Sequence, residues 1–162
     1  MMNRFSILTQ YALGRRDFHG VDLRRADLSG VDLRRANLSG AILAGANFRG
    51  ADLSGAVLQC AVAPFAEFSA ANLFAADLRG IRADGAAFRD TELSGADMRL
   101  AELYGADMRD ADMFHADLRL ADMRHADLRG TNMTSAQMDG ADTASAQVGD
   151  TDLSLTRQAL GE

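Results

Sequence analysis

The chain has 162 residues, enough for one domain with a real core, and its 17 Arg, absent Lys and 23 acids leave a net charge of −6. That balance disfavours direct binding of nucleic acid through its phosphates, and a lone Cys60 excludes a disulfide framework or a Cys-based zinc site. No stretch approaches the ~20 apolar residues that span a bilayer, and the start runs into Arg15-Arg16 instead of a cleavage site, so a cytoplasmic protein with no membrane contact is expected.

At the N-terminus, Phe5, Leu8, Tyr11 and Ala12 sit at helical spacing, with Gly14 placed to stop the helix. Residues 3–13 therefore read as a short amphipathic helix inside an N-terminal cap, 1–15, with Phe5, Leu8 and Tyr11 as its plug.

From Phe18 to Leu153 the sequence steps by five through 28 words without a slip in register. The centre of each word is Leu, Met or Phe in 24 of the 28, and the residue two before it is Ala in 21. Between them stands Asp, Asn, Glu or Gln in 23, and the fifth position is Gly in 12. Internal repetition fixes the architecture before any other feature. On an α-helix, steps of five rotate by about 140° and scatter the centres around the circumference. In a straight strand they alternate faces. Only a chain that bends in the same sense after every word brings all the centres to one interior, with Ala beside each because a narrow tube cannot hold two large residues per word. The predicted core includes Leu23, Leu28, Leu33, Leu38, Phe48, Phe68, Phe88, Met98, Met108 and Leu118.

One stretch breaks the pattern. In 56–68, "AVLQCAVAPFAEF", the polar slots hold Val57 and Val62, a centre is the small Ala63, and Pro64 lacks a backbone donor. With Ile42 this is an outer apolar patch. Val57–Phe65 reads either as a local bulge packed over by Phe65 or as a partner site. Past residue 143 the words decay. Ser154 is placed to cap a turn over "LTRQAL", leaving Leu155 and Leu160 as a lid on the tail, 156–162; the same end reads equally as a homodimer contact through the C-terminal coil.

The words "ANLSG" at 36–40, "ADLSG" at 51–55 and "ADLRG" at 76–80 and 126–130 resemble those of the pentapeptide-repeat proteins, and the resemblance covers residues 16–155. It implies an all-β fold, a right-handed quadrilateral parallel β-helix of four words per coil. Here that means about seven coils and a rod roughly 34 Å long at ~4.8 Å per coil. Residues twenty apart then stack in columns. Arg79, Arg99 and Arg119 stand near Asp77, Asp97 and Asp117, and Arg89, Arg109 and Arg129 repeat this opposite, a solvated lattice of alternating sign. Another face runs Asp32, Asp52, Asn72, Glu92, Asp112, Asn132 and Asp152, and carries no Arg after Arg34. Its candidate partner residues are Asp52, Phe74, Glu92, Asp112 and Phe114.

No constellation for chemistry stands out. His19, His115 and His125 fall in three different columns, each Gly serves a turn, and no carboxylate pair can be singled out. No enzyme, no metal and no cofactor is expected; the reading is a rigid interaction scaffold for a protein partner. Two alternatives stand beside it: a structural part of a larger assembly, which the sequence does not separate from a scaffold, and, from the family resemblance, a DNA mimic acting on a type II topoisomerase like the Qnr and MfpA group. The ten Arg that follow the repeat centres argue against the second, because a mimic needs a broad negative potential.

Overall fold

A computed structural model describes residues 4–149 and 151. Beyond the first helix, the regular structure consists of parallel β-bridges, one at the polar slot of each word. Every bridge joins a residue to the one twenty further on: Asp17 to Asn37, Asn37 to Val57, Val57 to Asp77, and so on to Asp127 with Gln147. A turn of the solenoid thus takes four words, and its polar slots form four columns. The first face carries slots 17, 37, 57, 77, 97, 117 and 137. The second starts at 22, the third at 27 and the fourth at 32, each continuing in steps of twenty.

Most words share four interactions. The centre N–H donates to the slot carbonyl one turn later, as Leu43 does to Val62 at 2.7 Å, and the slot N–H donates back, as Val62 does to Ala41 at 2.8 Å. The chain then bends: the Ala of the next word donates to the centre carbonyl, Ala46 to Leu43 at 2.8 Å. Such a turn has positive φ at its third residue, and fifth positions from Gly20 to Ser145 all lie in the left-handed region, Gly or not. The fourth interaction explains the polar slot. The N–H after the centre takes no part in the ladder, and in 19 words the slot side chain accepts it, as Asp52 accepts from Ser54 at 3.0 Å.

All ten expected core centres are fully buried, in one cluster with the alanines beside them. Phe48, Phe68 and Phe88 stack in one column, ring centroids 5.2 and 5.0 Å apart and planes within 9°. Where Thr91 replaces the usual Ala, its hydroxyl donates to the Phe68 carbonyl at 2.9 Å, so the buried oxygen is satisfied.

Two expectations are corrected. The word at 61–65 is not a bulge: Val62 bridges Ile42 and Arg82 in register and Ala66 closes the usual turn on Ala63. Pro64 fits because it occupies the one position whose N–H the ladder does not use, and with no donor there to cap, Val62 needs no side-chain oxygen. Nor does Phe65 pack over the stretch. It is 75 % exposed, and its ring lies across Gly85, where an added Cβ would meet it at 2.7 Å.

The first helix, α1, runs Arg4–Ala12. Ile7 is wholly buried in the core cluster, with Leu8 and Tyr11 packed partly beside it; Phe5, expected inside, is 80 % exposed. The first turn has no turn before it, so its slot and post-centre carbonyls lack ladder partners. Arg4 donates to the carbonyls of Asp27 and Ser29, Tyr11 to that of Arg34, and Arg15 to that of Asp17. The features expected at the other end, Ser154, Leu155 and Leu160, lie outside the described residues.

Candidate interaction faces

The columns sort the surface charges. On the first face, the Nε and Nη2 of Arg79, Arg99 and Arg119 grip Asp77, Asp97 and Asp117 at 2.6–2.9 Å. Each of the first two also reaches the carboxylate one turn on, Asp97 at 3.6 Å and Asp117 at 3.5 Å. The third face repeats the device with Arg109 on Asp107, Arg129 on Asp127, and Arg89 reaching Asp107 from the turn before. Arg109 bonded to its carboxylate pulls Asp107 down to about 2 despite partial burial. Asp117 and Asp127 are lowered for the same reason by Arg119 and Arg129. These exposed ladders are self-neutralising, each pair worth ~1 kcal/mol or less.

The fourth face differs. Asp32 and Asp52 share Arg34, at 2.6 and 3.8 Å, but among the described residues Glu92 and Asp112 meet only neutral donors. Glu92 accepts the Ser94 N–H, and Asp112 the Phe114 N–H and the Asn132 amide. Phe74 and Phe114 stand in the adjoining column, 54 % and 41 % exposed, and Phe114 packs edge-on against His115 at 4.1 Å. The slot carboxylates and the two rings therefore share one face, as the column rule requires.

A second apolar feature was not anticipated. Leu100 and Leu120, 60 % and 61 % exposed, take the left-handed corner position of consecutive turns and line a groove of about 580 Å³ with Arg79, Arg99, Arg119 and Asp139. The signal was in the sequence: two leucines, twenty apart, where Gly or a polar residue is usual. Among the described residues no three His, Cys, Asp or Glu side chains are grouped to hold a metal ion, and no helix is long and apolar enough to cross a membrane.

A family model, "Pentapeptide repeats", matches in eight copies over residues 17–62 and 66–142. The chain belongs to the pentapeptide-repeat family. Among solved structures, the pentapeptide-repeat protein Rfr23 from the cyanobacterium Cyanothece 51142 is similar, with TM-score 0.61, 22 % identity, and coverage of 88 % of this chain and 97 % of that one. QnrB1, a plasmid-mediated fluoroquinolone resistance protein, aligns with TM-score 0.53, 17 % identity, and coverage of 89 % and 92 %. At these identities the likeness concerns the pentapeptide-repeat fold alone. No curated protein matches the sequence.

Proposed function

We propose that this pentapeptide-repeat protein is a non-catalytic, rigid scaffold that docks a protein partner on its fourth face. In this reading α1 closes one end of a right-handed rod of seven coils. The observation that carries the reading is Phe74 and Phe114 half-exposed in one column beside Asp52, Glu92 and Asp112, the last two with no Arg to neutralise them among the described residues. Exposed aromatics ringed by polar groups are the usual anchors of an interface. A backbone locked by a ladder on every turn presents them with little entropy left to lose on binding.

The test is capture from native lysate with wild type, Phe74→Asp/Phe114→Asp, and Leu100→Asp/Leu120→Asp as a comparison. Loss of a partner in the first variant alone supports the fourth face; identical partner sets in all three sink it. The DNA-mimic alternative predicts inhibition or protection of gyrase in a supercoiling assay at micromolar protein. The Arg ladders on two opposite faces work against the broad negative potential that such mimicry needs.

A further inference from the structure

Charge is divided unevenly along the rod. Residues 4–35 hold seven Arg and four Asp, a net of +3, while residues 36–162 hold ten Arg and 19 acids, a net of −9. The basic end is built from the doublets Arg15-Arg16, Arg24-Arg25 and Arg34-Arg35. Between α1 and the first two turns lies a cleft of about 470 Å³ lined by Tyr11, Arg16, Arg34, Arg35 and Ser54.

The arginines there are not equivalent. Arg34 is committed through Nε and Nη2 to Asp32 at 3.0 and 2.6 Å, which holds its guanidinium in one orientation. Arg16 lies over the Tyr11 ring, 3.7 Å from its centroid, and Nη1 donates to the carbonyls of Tyr11 and Arg15 at 2.8 and 3.0 Å. Those bonds fix the group, and among the described residues no acid pairs with its charge. Tyr11 is itself pinned by bonds to Asp32 and the Arg34 carbonyl, both 3.1 Å. Arg35 sits at a corner with φ 56°, and among the described residues no carboxylate stands within 4.0 Å of its guanidinium. Even with Asp32 and Asp52 counted against them, the three arginines leave one positive charge in excess.

We propose that this cleft binds a phosphate-class oxyanion, as free phosphate or as a phosphomonoester, with Arg16 and Arg35 supplying the uncompensated charge and Arg34 and the Ser54 hydroxyl supplying directed donors. Guanidinium groups match such anions because their planar forks donate to two oxygens at once. Three of them on a fixed frame suit an anion with three or more acceptor oxygens better than a two-oxygen carboxylate. The site lies at the basic end of the fourth face, from which it takes Arg34 and Ser54, and it uses neither Phe74 nor Phe114.

The test is titration of the full chain with inorganic phosphate, and separately with O-phosphoserine, followed by two-dimensional amide NMR at constant ionic strength held with chloride. The expected result is saturable shifts at one site, centred on Ser54 and Arg35. Arg35→Gln weakens binding about tenfold, the loss of one charge-assisted contact. Arg25→Gln, at another exposed corner two words earlier, leaves it within about twofold. Tighter binding of phosphoserine identifies the ester as the ligand, and equal or weaker binding identifies free phosphate. Shifts that fail to saturate with both probes, or equal weakening in both variants, overturn the site.

Discussion

At the scale of the residue, each word is governed by two local rules. The slot side chain caps the N–H two residues on, and five slots, 42, 57, 62, 82 and 87, hold residues with no side-chain oxygen to accept that bond. Slots 57 and 62 both hold Val, yet the residues two positions on differ, since Gln59 has an N–H to cap and Pro64 has none. Val57→Asn should therefore leave the protein about 1 kcal/mol more stable than Val62→Asn, the worth of one net hydrogen bond, by urea midpoints. Equal effects would show that the capping bond contributes nothing. The second rule is positive φ at the fifth position. Among the described residues fourteen non-glycine residues adopt it there, and none is β-branched. Gly50 has φ +64° and open space where a Cβ would stand, so substitution tests the backbone alone. Gly50→Ala should cost about 1 kcal/mol, and Gly50→Val clearly more.

The element that sequence periodicity describes least well is α1. Phe5, Leu8 and Tyr11 fit a helical stripe, but Ile7, Leu8 and Tyr11 fit one equally. What decides between them is where the open end of the core lies, which is a tertiary fact. The solenoid closes over Ile7 and leaves Phe5 in solvent. Phe5→Ser should then shift the unfolding midpoint by less than about 0.5 kcal/mol, while Ile7→Ser should cost about 2 kcal/mol or the full docking energy of the helix. Hydrogen exchange separates these outcomes from global unfolding. Ile7→Ser should speed exchange in the first turn, at Phe18 and Leu23, well before the Phe68 stack responds. A larger effect from Phe5→Ser would reverse the assignment of the faces.

At the scale of the whole molecule, the architecture was legible because the same five-residue chemistry is repeated without a slip, so the columns emerged once four words were assigned to a turn. The corner leucines and the cleft beneath α1 were harder to see. Leu100 meets Leu120, and Arg16 meets Arg35, only after the chain has wound a full turn. The same winding makes the charge ladders collective and gives the rod an acid limit with a definite sign. Asp22 and Asp107 titrate near 2 in the folded chain because Arg24 and Arg109, respectively, bond their carboxylates, and Asp117, Asp122 and Asp127 are lowered likewise. Their unfolded value is about 3.9, so the unfolded chain takes up protons first as pH falls. The ladder contribution is then complete above about pH 4 and is lost progressively toward pH 2. Urea midpoints should be flat from pH 5 to 7 and fall steeply below 4. Asp107→Asn, which removes the carboxylate that Arg89 and Arg109 share, should lower the neutral plateau and make the fall shallower. A midpoint that stays constant down to pH 2 would mean that the ladders set surface charge and contribute no stability.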